Sequence, residues 1–218
     1  MKTRAAIFDL DGTVLNTLPD LADSLNIALE AAGYPARTLD EYRFMVGNGM
    51  AKMIERALPD DRKTPEIQTE IMKHFKNEYA LRQCDKTAPY EGITDLLQDL
   101  KARGWKLGLL SNKDHENTLE IVNHFFSGIF DVIIGVKPGG PSKPDPAGAL
   151  EICRTLGFKP QEVIYLGDSG VDMATANAAG CPALGAGWGF RPAEELQEGG
   201  AKAILEKPTD FLAKAESL

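Results

Sequence analysis

The stretch that decides the fold is AAIFDLDGT, residues 5–13. It begins with a short apolar run, Ala5–Phe8, and places two aspartates, Asp9 and Asp11, directly behind it. A continuous apolar run of this kind is typical of a strand that is buried on both faces of a parallel sheet. Because ligands bind outside the carboxyl ends of such strands, the paired carboxylates predict a functional site where this strand ends.

Four later apolar runs share this character and predict further strands: Leu107–Leu110, Val132–Ile134, Val163–Leu166 and Ala183–Gly187. Helical patterns lie between them. One has Asp145 as its N-cap and Pro146 at its first position, and Gly157 ends it; its buried face is predicted to carry Leu150, Cys153 and Leu156. Strands and helices alternate from about residue 90 onward. The predicted fold class is therefore α/β, with a doubly wound parallel sheet.

Residues 17–88 interrupt this alternation with helical patterns and no predicted strand. Thr17 is a predicted N-cap with Asp20 three residues later, ahead of an apolar stripe from Leu18 to Ala32. Thr64-Pro65 begins another helix, and shorter helices are predicted over Leu39–Met45 and Met50–Ala57. We therefore predict a catalytic core of residues 1–15 and 89–218, with a helical domain of residues 16–88 inserted after the first strand.

The composition of the 218-residue chain restricts its partners. It is 43% hydrophobic and 26% charged, with a formal net charge of -8, which argues against a nucleic acid or an anionic membrane as partner. No stretch approaches the roughly 18–20 apolar residues of a membrane span. The three cysteines are far apart and form no zinc-binding pattern. These features predict a cytoplasmic protein whose partner is a small molecule.

Polar residues follow each of the strongest apolar runs. Asp9 and Asp11 follow the first, and the others are Ser111-Asn112-Lys113, Ser142-Lys143-Pro144-Asp145, and the segment from Asp168 to Asp172. Each group alone has an ordinary structural explanation: an Asx turn, a helix N-cap, a proline-punctuated loop, or acids at a helix start. Four such groups at one sheet edge are harder to explain in that way.

The chemistry of this predicted edge is coherent. Gathered carboxylates raise one another's pKa unless a cation lies between them. Oxygen ligands without histidine or thiolate select Mg²⁺, which binds a few carboxylates and a substrate phosphate. Lys143 adds a further positive charge, and Ser111 with backbone N–H groups can bind phosphoryl oxygens. The set predicts phosphoryl transfer, in which catalysis is mostly positioning and charge neutralisation.

With these motifs the sequence resembles the haloacid dehalogenase superfamily. The matching segments are FDLDGT at 8–13, LSN at 110–112, SKPDP at 142–146 and GDSGVD at 167–172. The resemblance spans the whole chain, since the order and the spacing of all four segments agree. It implies a Rossmann-like core, with the helical insertion as a small cap domain placed between the first two motifs.

Residue by residue, the resemblance implies a two-step reaction. Asp9 would be the nucleophile that forms an aspartyl-phosphate. Asp11 would be the general acid for the leaving group and then the base that activates water. The other implied roles are phosphoryl binding by Ser111 and Asn112, charge neutralisation by Lys143, Mg²⁺ binding by Asp9, Asp168 and the backbone carbonyl of Asp11, and a contact of Asp172 with Lys143 or a metal-bound water.

Within the superfamily, the sequence is most similar to the phosphoglycolate phosphatases. The similarity lies in the segments DGTVLNTLPDL, VGNGM at 46–50 and AAGCPALGAGWGFRPAEEL at 178–196, whereas Asn16, the segment Ser111–Asp114 and the loop 138–141 depart from the usual pattern. The implied activity is Mg²⁺-dependent hydrolysis of 2-phosphoglycolate to glycolate and phosphate. The backbone amides at Gly47 and Asn48 could receive a small anionic group of the substrate. An ordinary turn between two helices explains these residues equally well.

Several alternatives stay open at this stage. The same site could serve a sugar-phosphate phosphatase, a pyrophosphatase or a mutase similar to β-phosphoglucomutase, although Thr17 is not followed by the histidine of the mutase signature. A signalling module that holds a phospho-aspartate without turnover is another class. Response-regulator receivers of that class lack the Asp11 role and the helical insertion. The sequence leaves open whether the protein is a monomer or a homodimer.

Overall fold

The computed structural model describes residues 4–217, so residues 1–3 and 218 of the predicted core lie outside the description. The chain divides into two compact units. One contains the described residues of Met1–Leu15 and Pro89–Leu218, and the other is Asn16–Ala88. We call them the sheet unit and the helical unit. No helix between residues 4 and 217 is long and apolar enough to cross a lipid bilayer.

The sheet unit is built on six parallel strands, which confirms the predicted fold class. Two very short strands pair separately, where the chain leaves the sheet unit and returns to it. The strands are β1 Ala5–Phe8, β2 Leu15–Asn16, β3 Ala88–Pro89, β4 Lys106–Asp114, β5 Val132–Val136, β6 Val163–Gly167, β7 Ala183–Ala186 and β8 Ala203–Leu205. The order in the main sheet is β5-β4-β1-β6-β7-β8.

This strand order gives β1 a central place. The chain proceeds from β1 through β4 to β5 on one side, and from β6 through β7 to β8 on the other. The carboxyl ends of β4, β1 and β6 are therefore neighbours at the point where the strand order reverses. In open α/β sheets this is the position of the ligand-binding crevice.

The helices alternate with these strands except in the helical unit. Their bounds are α1 Leu18–Ala31, α2 Leu39–Met45, α3 Met50–Ala57, α4 Pro65–Arg82, α5 Ile93–Ala102, α6 His115–Phe126, α7 Ala147–Leu156, α8 Gly170–Ala179, α9 Ala193–Glu198 and α10 Phe211–Ser217. On one face of the sheet, Ile7 and Tyr165 pack in a cluster with Ile152 of α7 and Met173 of α8. On the other, Phe8 stacks on Phe211 of α10.

Helix α7 differs from its prediction. It begins at Ala147 rather than at Pro146, and Asp145 accepts a hydrogen bond from the Ala147 N–H at 2.8 Å. Leu150, predicted to be buried, is 41% exposed. The buried face is instead formed by the smaller Ala149 together with Ile152 and Cys153. Small residues allow the helix to approach the sheet closely: a Cβ on Gly148 would lie 2.6 Å from Leu110 Cδ1.

Two strands of the sheet also differ from the prediction. Strand β8 was not predicted from the sequence, because it has only three residues and only Leu205 among them is fully buried. Strand β4 was predicted to end at Leu110, but it continues to Asp114 with a register shift in its pairing with β5 between these two residues. The predicted polar segment that begins at Ser111 is therefore the end of the strand itself.

In the helical unit, the predicted bounds of α2 and α3 are confirmed. The apolar stripe of α1 is buried, as predicted, at Leu21, Leu25 and Leu29. Thr17 is the N-cap residue of α1, as predicted, but its side chain makes no capping hydrogen bond. The partners of Asp20 lie much farther along the chain, because its carboxylate accepts from the N–H groups of Lys86 and Thr87 and from the Thr87 hydroxyl.

Candidate active site

The site is centred on Asp9, where β1 ends. Its N–H donates to the Leu166 carbonyl at 2.9 Å, so the pairing with β6 continues to this residue and fixes its backbone. Asp9 is buried, and its Oδ1 lies 2.5 Å from the Lys143 ammonium. Lys143 comes from the loop before α7 and also donates to Asp172 Oδ1 at 2.7 Å. One lysine thus bridges two carboxylates from different elements.

Asp172 is held in place from both sides. It lies in the first turn of α8, where its Oδ2 accepts from the Ser169 N–H at 3.2 Å as part of a capping box and from the Ser169 hydroxyl at 2.6 Å. Its Oδ1 accepts from Lys143 and from the Tyr165 hydroxyl, the latter at 3.1 Å. Because both oxygens already accept hydrogen bonds, Asp172 serves to orient Lys143 as well as to cap the helix.

Asp168 follows β6 and fits a cradle made by the backbone. Its Oδ2 accepts from the Phe190 N–H at 2.7 Å, and its Oδ1 lies 3.5 Å from the Thr13 hydroxyl. Gly12 has φ +89°, and a Cβ at that position would lie 2.2 Å from Asp168 Oδ2. A Cβ on Gly189 would lie 2.2 Å from Asp168 Cβ. The cradle therefore requires glycine at both positions.

Three carboxylates come together here. Asp9, Asp168 and Asp172 each place an oxygen within 4.8 Å of the others, and all three residues are buried. Burial raises the pKa of Asp9 well above its ordinary value, the charge of Asp172 raises it further, and Lys143 opposes both effects. Burial and the charge of Asp172 raise the pKa of Asp168 to about 7, although the hydrogen bond from the Phe190 N–H lowers it.

The charges of this acid cluster are only partly balanced. Burial opposes the charge on Lys143, but Asp172 and Asp9 together raise the pKa of its ammonium well above the ordinary value. Lys143 therefore stays protonated and supplies one positive charge to three carboxyl groups. An additional cation would favour the ionised form of Asp9 and Asp168. The all-oxygen donor set fits a hard metal ion.

Asp11 stands apart from the acid cluster. Its side chain is 15% exposed, and its Oδ1 lies 3.4 Å from the ammonium group of Lys113. The side chain of Lys113, near the end of β4, is only 4% exposed. The two aspartates of the first motif are therefore placed beside different lysines: Lys143 contacts Asp9 and Lys113 contacts Asp11.

The polar residues at the end of β4 connect this strand to the loop that carries Lys143. Asn112 Oδ1 accepts from the backbone N–H of Lys143 at 2.7 Å, and Asn112 Nδ2 donates to the Lys143 carbonyl at 3.0 Å. This pair of hydrogen bonds joins the backbone of Lys143 to β4. The buried hydroxyl of Ser111 accepts from the Lys113 N–H at 3.1 Å. Asn112 thus positions Lys143 through backbone contacts.

The sequence that carries this site matches the model of a known protein family. The model of the haloacid dehalogenase-like hydrolases matches residues 6–186, which include Asp9, Asp168 and Lys143. The chain belongs to the haloacid dehalogenase-like hydrolase family. The resemblance predicted from four sequence segments is therefore confirmed.

Relatives of this haloacid dehalogenase-like hydrolase are similar over nearly their whole length. A phosphoglycolate phosphatase from Thiobacillus denitrificans is 30% identical, with 97% of this chain and 96% of the relative covered. A candidate phosphoglycolate phosphatase from Lactobacillus delbrueckii subsp. bulgaricus has a crystal structure that matches with a TM-score of 0.92 at 30% identity, over 99% of both chains. A predicted phosphoglycolate phosphatase from Haemophilus somnus gives 0.91 at 27% identity, over 98% of both chains.

A cavity of about 340 Å³ lies in the sheet unit of this haloacid dehalogenase-like hydrolase, between β4, β5 and α7. Ser111 and Lys143 line it, together with Gly140 and Pro141 of the loop 138–141, which departs from the family pattern in sequence. The unusual loop is therefore a wall of a space that two predicted site residues also reach.

The remaining predicted site residues, Gly47 and Asn48, belong to the helical unit. They form the turn between α2 and α3, in which Gly47 has φ +109° and Gly49, the N-cap of α3, has φ +84°. Asn48 is exposed. This geometry is what a turn between two helices requires, and the role of Gly47 and Asn48 in substrate binding stays a prediction.

Sequence reasoning assigned no role to three residues that contact the predicted site: Lys113, Thr13 and Tyr165. Thr13 and Lys113 lie inside two of the polar segments quoted from the sequence, so their position was a usable signal. The sequence carries no such signal for Tyr165, because a tyrosine in the middle of a buried strand looks like an ordinary core residue.

Proposed function

We propose that this protein is a Mg²⁺-dependent phosphomonoester hydrolase that acts on a small phosphorylated metabolite. The observation that carries the proposal is the buried set of Asp9, Asp168 and Asp172 around the single ammonium group of Lys143. Such a set costs folding free energy unless a cation and an anionic substrate complete its charges. Phosphoryl transfer uses these components for positioning and for charge neutralisation.

Mg²⁺ fits the donor set better than a softer metal, because the candidate ligands are oxygens alone. Asp9 and Asp168 would hold the ion together with the backbone carbonyl of Asp11. Asp172 fits the role of orienting Lys143, since its two oxygens already accept from Lys143, Tyr165 and Ser169. When bound, the ion would neutralise charge on the oxygens of the transferring phosphoryl group.

Asp9 is the proposed nucleophile. Its position at the end of a central strand is fixed by the hydrogen bond to Leu166, and Lys143 favours its ionised form against the effect of burial. An Asp9 oxygen would attack phosphorus to give an aspartyl-phosphate as the bond to the leaving oxygen breaks. Ser111 and backbone N–H groups near Asn112 would bind the phosphoryl oxygens, while Lys143 balances their charge.

Asp11 is the proposed general acid and base. It lies outside the acid cluster and is partly exposed, so it can reach a leaving group or a water molecule. In the first step it would give its proton to the leaving oxygen. In the second it would take a proton from the water that attacks the aspartyl-phosphate, which releases phosphate and restores both aspartates.

2-Phosphoglycolate is the leading substrate, because relatives that match this chain over nearly its whole length carry the name phosphoglycolate phosphatase. We further propose that the helical unit, residues 16–88, acts as a cap domain. Within it, Gly47 and Asn48 are proposed to bind the carboxylate of the substrate. The net charge of -8 argues against a nucleic-acid or anionic-membrane partner. We also propose that the enzyme is cytoplasmic and is a monomer or a homodimer.

A phosphate-release screen tests the proposal. The purified protein with Mg²⁺ is given 2-phosphoglycolate, sugar phosphates, nucleotides and pyrophosphate, and kcat/KM is compared among them. We expect 2-phosphoglycolate to have the highest value and chelation of the metal to abolish activity. Two matched variants test the nucleophile. Asp9→Asn should abolish phosphate release, whereas Asp145→Asn, which changes another aspartate of the same unit, should retain it. Full activity without metal, or in Asp9→Asn, would refute the site assignment.

A further inference from the structure

Lys113 has a position that the proposed reaction does not yet explain. Its side chain is 4% exposed, and its ammonium group lies 3.4 Å from Asp11 Oδ1. Burying an ammonium group costs several kcal/mol unless a partner compensates for it. Nearly all lysines therefore stay at the surface, and a lysine buried beside a candidate catalytic acid requires a reason.

The backbone around Lys113 is fixed by several contacts. Its N–H donates to Ser111 Oγ at 3.1 Å, and its carbonyl accepts from Thr118 Oγ1 at 3.4 Å. Strand β5 approaches so closely that a Cβ on Gly135 would lie 2.8 Å from the Lys113 carbonyl oxygen. The register shift of β4 between Leu110 and Asp114 falls at this point. Such irregularities are common beside active sites, where they redirect a side chain.

We propose that Lys113 is a positioning residue for Asp11, whose carboxyl group it holds in the orientation from which a proton reaches the leaving oxygen. This inference rests on the proposed function, because that function makes Asp11 the general acid. The 3.4 Å separation exceeds the usual range of an N–H···O hydrogen bond. Lys113 therefore contacts the carboxyl group at ion-pair distance rather than through a tight hydrogen bond.

The proton and electron pairs balance in each step. When the Asp9 oxygen bonds to phosphorus, the bond from phosphorus to the leaving oxygen breaks, and the Asp11 proton moves to that oxygen. Asp11 is then a carboxylate beside the Lys113 ammonium group. When water attacks phosphorus, the bond to Asp9 breaks, one water proton returns to Asp11, and phosphate leaves. Lys113 assists the first transfer most when the leaving group is an alkoxide, which needs the proton.

The dependence on the leaving group tests this inference. We would measure kcat/KM of wild type and Lys113→Met, with Mg²⁺, on 2-phosphoglycolate, glycerol 3-phosphate and p-nitrophenyl phosphate. The nitrophenolate ion leaves without a proton, whereas the other two leaving groups require one. We expect Lys113→Met to lower kcat/KM on both alkyl phosphates about 10²-fold and on p-nitrophenyl phosphate less than about 3-fold. The ratio between substrates does not depend on the fraction of folded enzyme.

Two control variants separate the role of the positive charge at position 113 from the effect of removing any lysine of this strand. Lys113→Arg keeps the positive charge and should retain most of the wild-type ratio. Lys106→Met removes a lysine from the same strand whose ammonium lies 3.1 Å from Asp131 Oδ1, but whose side chain is 49% exposed. It should leave the ratio unchanged, because an exposed ion pair remote from Asp11 cannot affect the leaving group.

A double-variant cycle shows whether Lys113 acts through Asp11. Asp11→Asn alone should show the same discrimination between alkyl and aryl phosphates, and adding Lys113→Met should change the ratio less than about 2-fold. Equal losses on all three esters would overturn the inference, and so would a loss confined to 2-phosphoglycolate, which would indicate contact with its carboxylate. Failure of the proposed function itself would look different: wild type would release no phosphate from any ester.

Discussion

Two regions of the molecule bury aspartate carboxylates in opposite ways. In the helical unit, Asp20 is 1% exposed and accepts from two backbone N–H groups and the Thr87 hydroxyl. In the sheet unit, Asp9 and Asp172 share the ammonium group of Lys143, and Asp168 lies beside them with Arg191 as a further positive charge. The first arrangement satisfies a charge with neutral donors, and the second leaves charge in excess. Burial alone therefore does not identify a functional acid; unbalanced charge does.

Exchanging Asp9 for asparagine should give the largest effect. Asp9→Asn removes the nucleophile, so we expect turnover to fall by more than about 10³-fold. The same change removes a buried charge from an overcharged cluster, so the free energy of unfolding of the metal-free protein should stay equal or rise. Steady-state kinetics and urea unfolding measure the two quantities. A stability loss as large as the one expected for Asp20 would erase the contrast between the regions.

Replacing Asp20 should have the reverse pattern. Asp20→Ala leaves the N–H groups of Lys86 and Thr87 without their acceptor, which should lower the free energy of unfolding by about 3 kcal/mol. Activity per folded molecule should stay within about 3-fold of wild type, since Asp20 takes no part in phosphoryl transfer. Asp23→Ala is a suitable control, because that aspartate makes an ion pair with Lys86 at the surface. An activity loss like that of Asp9→Asn would contradict the structural role of Asp20.

The stability of the metal-free protein should depend on pH through the acid cluster. The pKa of Asp168 is raised from 3.8 to about 7, so the folded state binds an additional proton between these values. Stability from this group is fully present below about pH 4 and is lost as the pH rises to about 7, by a few kcal/mol. Chemical unfolding at pH 5 and pH 8 after chelation measures the loss.

Mg²⁺ should reverse this loss, because it binds the ionised carboxylates and releases protons. We expect added Mg²⁺ to stabilise the protein more at pH 8 than at pH 5, and Asp168→Asn to flatten the dependence on pH. Metal-free stability that rises from pH 5 to pH 8 would be the opposite sign and would contradict the charge imbalance of the cluster.

The smallest predicted effect concerns Tyr165. Tyr165→Phe removes one hydrogen bond to Asp172 Oδ1 and keeps the ring in the core. Lys143 and Ser169 still bind Asp172, so the free energy of unfolding should fall by only about 1 kcal/mol and kcat by a few-fold. Thermal unfolding and kinetics measure these changes. A loss of activity similar to that of Asp9→Asn would show that the tyrosine, rather than the charge balance, governs the site.

The sequence could predict what depends on topology alone. Once the apolar runs are assigned to parallel strands, their carboxyl ends must meet at one edge, and the structure does bring Asp9, Lys143, Asp168 and Asp172 together there. Helix bounds in the helical unit followed from local periodicity and caps. Both kinds of signal are short-range or set by strand direction, so a single sequence carries them.

What depends on register or on distant partners could not be predicted. Lys113 meets Asp11 after an irregular pairing of β4, which no periodicity reveals. Asp20 matched a local capping pattern, yet its partners lie 66 and 67 residues away. Helix α7 buries Ala149 rather than Leu150, because close packing on the sheet outweighed side-chain hydrophobicity. In each case tertiary geometry decided among locally acceptable alternatives.

The glycine cradle around Asp168 has a consequence for how variation is distributed in this chain. Gly12 and Gly189 perform no chemistry, yet the smallest side chain at either would occupy the space of the Asp168 side chain. Gly167 has the same relation to Asp172, since a Cβ there would lie 2.3 Å from Asp172 Cβ. In a saturation-mutagenesis map scored by growth or activity, these three glycines should tolerate as few substitutions as the aspartates that they enclose.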